Sequence, residues 1–157
     1  MNFGYTVASS MSRLFMKKLA MLLAVMFVAY WLLLAHVSWD IFDKTPSVSV
    51  VSKDGKYTVF LKAVYPLNPI GIYCQLTTES PIFFELYDAK GAYVGQSSPF
   101  VCYGEWRDVP YRFPGEEFTS DVDSFVIFDD EYNGELNIST KHKKWWSMIL
   151  SPFHSRG

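Results

Sequence analysis

The sequence predicts a mainly β protein, with a small antiparallel β-sandwich or barrel-like domain following one N-terminal transmembrane helix. The first observation behind this prediction is the block Leu19–Val37, which contains no charged residue. The second is a series of about eight short runs of strand-forming residues, separated by turns rich in Gly, Asn and Asp. Short strands at such regular spacing are typical of sandwiches and small barrels. A chain of 157 residues has room for one such domain beside the helix.

The apolar block Leu19–Val37 has the length of a membrane span. As a helix it would be roughly 28 Å long, close to the ~30 Å hydrocarbon core of a bilayer. A buried helix of a small soluble domain would show a polar stripe, and this block has none. A cleaved signal peptide is the competing interpretation, but its apolar region is usually shorter and ends in small residues. The sequence therefore favours an uncleaved anchor over residues 19–39, in contact with the lipid bilayer.

The charges on either side of the block indicate its orientation. Basic residues stay on the cytoplasmic side of a membrane. The residues before the block include Arg13, Lys17 and Lys18, and those after it include Asp40 and Asp43. We therefore expect a cytoplasmic N-terminus and an exported C-terminal domain.

The chain divides into five segments on this interpretation. They are a short cytoplasmic segment (1–18), the transmembrane anchor (19–39), a linker (40–46), the exported β domain (47–140) and a basic, aromatic C-terminal strand or tail (141–157). The predicted strands are 47–50, 57–65, 71–77, 82–87, 92–96, 100–106, 125–128 and 136–139, with no helix beyond the anchor. For the tail, a last strand over 145–150 and a contact of its lysines and tryptophans with anionic lipid are both open.

The two cysteines, Cys74 and Cys102, both follow the anchor and both lie in strand-like runs. In an oxidising compartment such a pair predicts a disulfide, the alternative being two buried thiols. A bridge of this span would stabilise the fold by roughly 3.5 kcal/mol through the unfolded state.

The domain is acidic, because residues 40–140 contain seven Lys or Arg and all 16 Asp or Glu, a net charge of −9. This balance argues against nucleic acid as a partner. The sequence contains no nucleophile elbow, zinc-protease helix or phosphate-binding glycine loop. The acidic turn 129–134 matches a calcium loop only loosely, since Thr140 stands where the bidentate Glu is needed. We therefore expect no catalytic residue, no cofactor and no metal site.

The layout resembles small single-span envelope proteins of Gram-negative bacteria that have no assigned function. The features that carry this resemblance are Met16-Lys17-Lys18, the apolar span and the β run Phe84–Gly91. It is a resemblance of layout over most of the chain, and it implies a bacterial inner-membrane protein with a periplasmic domain. Proteins of this kind include immunity factors that mask a secreted toxin, which is an analogy of architecture rather than of any site.

The leading hypothesis for function is a membrane-anchored binding module that engages another protein. Aromatic and charged residues of the loop 106–117 are the candidate contacts, namely Trp106, Tyr111, Arg112, Phe113 and Glu116; ordinary loop packing is the competing explanation. One alternative is an envelope enzyme that uses the carboxylates of Asp121 and Asp123 or of Glu116 and Glu117. Another is a structural subunit whose anchors dimerise through Ala20 and Ala24.

Overall fold

The structure is a computed structural model that describes residues 4–39, 48–104, 109–116, 122–129, 132 and 134–154. In chain order its elements are α1 (Gly4–Ser38), β1 (Val48–Val51), β2 (Tyr57–Ala63), α2 (Pro69–Thr77), β3 (Ile82–Asp88), β4 (Tyr93–Gln96), β5 (Tyr111–Arg112), β6 (Ser124–Ile127), β7 (Ile138–Ser139) and α3 (Trp145–His154). The predicted linker 40–46 lies outside the described residues.

Two antiparallel sheets face each other across one hydrophobic core. The first sheet has the strand order β1-β2-β3-β4, and the second has the order β5-β6-β7. The first sheet contributes Val59, Leu61, Phe84 and Leu86 to this core, and the second contributes Phe125, Ile127 and Ile138. The prediction of antiparallel sheets after an apolar N-terminal helix is therefore confirmed. The prediction of a mainly β chain is only partly supported, because the described helices contain more residues than the described strands.

The tight turns of the first sheet follow the sequence signals. β1 and β2 pair in register across the Asp54-Gly55 turn, where Gly55 has a positive φ of 70°. β3 and β4 pair across a turn in which the Asp88 side chain accepts hydrogen bonds from the backbone N–H groups of Lys90 and Ala92. Aspartate and glycine favour such turns because one caps local N–H groups and the other tolerates positive φ. These two hairpins were therefore predictable from local chemistry.

The predicted strand 71–77 is instead the helix α2. Asn68 precedes it and accepts a hydrogen bond from the Gly71 N–H at 2.8 Å, and Pro69 occupies its first turn. Proline at the first helical position needs no N–H and has a suitable φ, so the Asn-Pro pair begins a helix here rather than ending a strand. The predicted strand 100–106 is also wrong in its described part, where Tyr103 forms only an isolated bridge to Ile82.

The C-terminal prediction of a strand over 145–150 is wrong, because this segment begins the helix α3. Ser147 and Leu150, three residues apart, are buried against the domain, as helical spacing requires. The Ser147 hydroxyl accepts a hydrogen bond from the Gln96 N–H at 3.0 Å, and the Trp146 indole donates to the Gln96 carbonyl at 3.1 Å. These contacts hold α3 on β4, so tertiary packing rather than local propensity selects the helix.

The long helix α1 contains a segment, Arg13–Ser38, that is long and apolar enough to cross a membrane. Its last turns are nevertheless part of the domain. Leu34 and Val37 share a second hydrophobic cluster with Phe83 of β3 and Leu150 of α3. Most of the earlier apolar residues of α1 are exposed, whereas residues 34–37 are buried. The helix therefore enters the fold directly, and its apolar surface changes from exposed to buried near Leu33.

Candidate functional site

The outer face of the four-stranded sheet is the surface opposite the core. It consists of Thr58, Phe60 and Lys62 on β2 with Glu85 and Tyr87 on β3. Phe60 pairs with Glu85 and Thr58 with Tyr87 in the antiparallel register, so these side chains are neighbours. Side chains alternate along a strand, and the intervening residues point into the core.

Two adjoining clefts make this outer face concave. One has a volume of about 310 Å³ and is bounded by the end of α1 and by Phe153 and His154 of α3. The other has a volume of about 530 Å³ and extends toward the turn glycines Gly55 and Gly91. Lys62, Glu85 and Tyr87 line both clefts. The clefts therefore form one continuous concavity, which runs from the end of α1 to the hairpin turns.

A largely buried ion pair between Glu85 and His154 lies where β3 meets α3. The imidazole Nε2 is 2.8 Å from the carboxylate Oε1, and the side chains are only 4% and 12% exposed for Glu85 and His154, respectively. The other ring nitrogen, Nδ1, lies 2.9 Å from the Leu150 carbonyl. The Leu150 carbonyl can only accept, so Nδ1 donates to it, and in the protonated form of histidine Nε2 donates to the Glu85 carboxylate as well.

The surroundings of His154 favour that protonated form. Burial alone lowers the pKa of the ring, but the hydrogen bond and the charge of Glu85 more than compensate, so the pKa of His154 is raised above its usual value. The Tyr93 ring stacks on the imidazole with 4.5 Å between centroids. The Tyr87 hydroxyl donates to the second carboxylate oxygen of Glu85 at 3.1 Å. Tyr87 therefore fixes the carboxylate of Glu85, while Tyr93 and the Leu150 carbonyl fix the imidazole of His154.

His36 extends the polar lining of the smaller cleft to α1. Its Nε2 lies 2.7 Å from the Pro99 carbonyl, which can only accept, so Nε2 donates. In the neutral ring Nδ1 is then an acceptor, and it has no hydrogen-bond partner among the residues that the structure describes. His36 is only 1% exposed.

The predicted contact residues of the loop 106–117 have mixed environments. Phe113 is buried in the main core and Tyr111 packs against that core. Arg112 is exposed, with its guanidinium donating to the Tyr111 carbonyl, and Glu116 accepts from the Phe113 N–H at 3.0 Å. Trp106 lies outside the described residues. Packing accounts for the two buried rings, while contact through Arg112 and Glu116 stays a prediction.

The remaining sequence candidates have structural partners where they are described. The structure brings Cys74 and Cys102 to disulfide-bonding distance, with their Cα atoms 5.0 Å apart. Asp123 forms an ion pair with Lys141 at 2.5 Å, whereas Asp121 and Glu117 lie outside the described residues. Across the part of the chain that the structure describes, no three His, Cys, Asp or Glu side chains are placed to hold a metal ion.

The pair of Glu85 and His154 was not predicted from the sequence. The signal at Glu85 was visible, because it is a single carboxylate inside the apolar run Ile82–Tyr87. Buried carboxylates need a partner. Nothing in the sequence connects it to a histidine 69 residues further on, since that contact depends on the helix α3.

Comparison with known proteins adds a family but no described function. No similar protein is found among the curated proteins or the solved structures. One protein family matches the chain over residues 16–150, which is most of its length and includes the end of α1, both sheets and the first part of α3. The chain therefore belongs to DUF6201, a family of unknown function.

Proposed function

We propose that this chain is a single-pass protein of the bacterial inner membrane whose periplasmic domain binds another protein. The helix Arg13–Ser38 supplies a segment of suitable length and composition. The basic residues Arg13, Lys17 and Lys18 before its apolar part favour a cytoplasmic N-terminus. The cysteine pair supports an oxidising compartment for the domain.

The observation that carries the binding proposal is the concave outer face with an ion pair at its floor. Buried ion pairs contribute little net stability, because desolvation opposes the attraction between the charges. Fixed charges beside an open cleft are useful for recognition, since they orient a polar partner. The face also presents Phe60 and Tyr87, which form an edge-on aromatic pair with 5.3 Å between centroids. Aromatic rings beside fixed charges are the composition of protein-binding surfaces.

The position of the cleft next to α1 adds a geometric argument. The cleft is lined by His36 and Val37, in the end of α1 that is packed into the domain, and by Trp39, which follows the helix. A partner bound here would be held at a fixed position next to the membrane rather than on a loose tether. This favours a partner that itself acts at the membrane surface, such as an envelope complex. Toxin neutralisation, by analogy with immunity factors, is a narrower form of the same proposal.

Site-specific photo-crosslinking in intact cells tests the proposal. A photoreactive amino acid replaces Phe60 on the outer face, Arg112 on the predicted contact loop, or Val122, which is 56% exposed outside the outer face and serves as the matched control. We expect a discrete protein adduct from position 60 that is absent from position 122. An adduct from position 112 alone would move the binding site to the loop. The absence of any protein adduct at 60 and 112 would refute protein binding through these surfaces.

The two alternatives from the sequence gain no support from the described contacts. Glu116 and Asp123 each have a partner that explains their position. Ala20 and Ala24 are exposed on α1, and their role in dimerisation stays a prediction. Binding through the outer face is therefore the function that the geometry supports best.

A further inference from the structure

The exposed face of α3 is apolar, which is the reverse of what water favours. Trp145, Met148, Ile149 and Phe153 are 44%, 57%, 47% and 60% exposed, and they recur at helical spacing on one side. The polar residues Ser147 and His154 point inward to the domain. A helix on the surface of a soluble domain carries its polar residues outside and its apolar residues inside.

The helix α2 repeats this arrangement. Its nine residues include no charged side chain. Ile72, Tyr73 and Leu76 are 47%, 62% and 80% exposed, while Gly71 and Cys74 face the domain. We call these three residues, together with Trp145, Met148, Ile149 and Phe153 of α3, the apolar collar. Two short helices thus expose large apolar side chains, beside the exposed polar residues Gln75 and Thr77 of α2. Large exposed apolar side chains clustered in this way mark a contact with a partner or a membrane.

Both α2 and α3 contact α1 near Leu33, where the side chains of α1 change from exposed to buried. At the start of α2, the Asn68 side-chain amide donates to the backbone carbonyls of Trp31 and Leu32 at 2.8 and 2.9 Å. At the end of α3, the Phe153 ring stacks on Tyr30 with 5.9 Å between centroids. The collar therefore adjoins the exposed apolar surface of α1 and continues it sideways.

The positions of Lys17 and Lys18 on α1 place this level at the membrane boundary. The uncharged exposed stretch after them, Leu19–Leu33, is about 21 Å long at 1.5 Å per residue, and Leu14, Phe15 and Met16 before them are exposed apolar residues as well. A hydrocarbon core is about 30 Å thick. The residues that would complete the span, 34–37, are buried in the domain. A bilayer around α1 would therefore extend up to the two short helices unless it thinned locally.

The charges next to the collar fit the same surroundings. Three lysines precede α3: Lys141, which pairs with Asp123, Lys143, which donates to the Tyr93 carbonyl, and Lys144. The Lys144 amine lies 5.1 Å from the centre of the Trp146 ring, and Phe100 packs against Trp145 and Trp146 at 5.9 and 6.1 Å. Tryptophan and lysine at the edge of an apolar face are the composition of helices that lie in the headgroup region, where lysine meets anionic lipid.

We propose that α2 and α3 lie in the interfacial zone of the bilayer that α1 crosses, with the apolar collar inserted into lipid. The occupant of this surface is the bilayer itself, because the collar is continuous with the exposed apolar surface of α1 and a shortened span brings lipid to its level. The domain is then seated in the outer headgroup layer rather than held above it. This inference rests on the membrane assignment in the proposed function.

Methyl NMR on the full chain in lipid nanodiscs tests separately whether α1 crosses the bilayer and whether the apolar collar is inserted into lipid. The chain contains six methionines; Met21 and Met26 report on α1, and Met148 reports on the collar. The methyl groups of Ile72 and Ile149 provide two further collar probes, and the buried Ile127 and Ile138 are matched controls. Each resonance is measured with a spin label on the lipid chains and, separately, with a soluble paramagnetic agent.

We expect the lipid label to broaden Met21, Met26 and Met148 alike, with Met148 protected from the soluble agent. Broadening of the α1 methyls alone, with Met148 reached by the soluble agent, would overturn the collar inference and leave the anchor intact. Protection of Met148 from both reagents would mean that protein covers the collar, which also overturns it. If the lipid label reached none of the three, the anchor itself would be refuted. The variant Ile149→Ser should fold like the parent and weaken the lipid-induced broadening of Met148 several-fold.

Discussion

The substitution Asn68→Asp separates two roles that one side chain plays in this fold. Asn68 is only 1% exposed. Its Oδ1 accepts a hydrogen bond from the Gly71 N–H and so caps α2, while its Nδ2 donates to two carbonyls of α1. Aspartate caps a helix as well as asparagine does. Judged by capping alone, the substitution would be neutral.

The contacts with α1 predict a different result. In Asn68→Asp a carboxylate oxygen replaces the amide nitrogen. It then faces two carbonyl oxygens at 2.8–2.9 Å, which repel it in a site with little access to water. Asn68→Ala loses the cap, worth about 1 kcal/mol, and two amide donors of about 1 kcal/mol each at most. We therefore expect Asn68→Ala to cost about 2–3 kcal/mol and Asn68→Asp at least as much.

Thermal unfolding of the full chain in detergent micelles, followed by tryptophan fluorescence, measures this effect. For a chain of this size 2–3 kcal/mol corresponds to a fall in Tm of roughly 5–10 °C. Asn137→Asp is the matched control, because the Asn137 Oδ1 accepts from the Ile127 N–H and an aspartate keeps that acceptor. We expect the control to change stability by less than about 1 kcal/mol. An Asn68→Asp variant as stable as the parent would refute the link between α2 and α1.

Three further predictions concern charge, the disulfide and close packing. The folded-state pKa of His154 is raised, so its interaction with Glu85 stabilises the fold fully below about pH 6.5 and is lost as pH rises through the folded pKa. The Tm of the parent should therefore fall from pH 5.5 to 8.5. A Glu85→Gln variant whose Tm depends on pH as steeply as that of the parent would refute this. Cys102→Ser should cost roughly 3.5 kcal/mol in denaturant unfolding, and alkylation of the parent protein by maleimide without prior reduction would contradict the disulfide. Gly71→Ala should destabilise the fold by at least about 1–3 kcal/mol, because its Cβ would meet the Tyr65 carbonyl oxygen at less than van der Waals distance. The control Gly91→Ala, with nothing within 4 Å of its Cβ, should cost about 1 kcal/mol from its positive φ alone. Equal Tm values for the two variants would exclude the close approach of Gly71 to the Tyr65 carbonyl.

The features that local chemistry determines were predictable from the sequence. The Asp54-Gly55 turn produced the β1–β2 hairpin, and the uncharged block 19–37 produced a long apolar helix. The predicted strand 125–128, apolar throughout, corresponds to β6, the middle strand of the second sheet. In each case a turn residue or an apolar period specifies the element with little help from the rest of the fold.

The features that were missed depend on contacts between distant segments. The helix α2 begins at an Asn-Pro pair that resembles a strand end, and its cap is completed by carbonyls 36 and 37 residues earlier. The helix α3 is selected by Gln96, 50 residues before Trp146. The candidate site has the same origin, because Glu85 meets His154 only after α3 has packed on the sheet. Periodicity within one window contains no information on such contacts.

The burial of the end of α1 links the biogenesis of this protein to its anchoring. One hydrophobic cluster contains both Leu34 and Leu150, so in the proposed orientation it cannot close until residue 150 has been synthesised and has crossed the membrane. Folding of the domain would then report that insertion is complete. For the same reason, cleavage of the helix on the N-terminal side of Leu34 would leave the core intact, whereas cleavage on the C-terminal side of Val37 would remove part of it. A shed domain of the second kind would expose apolar surface and become a substrate for quality-control proteases.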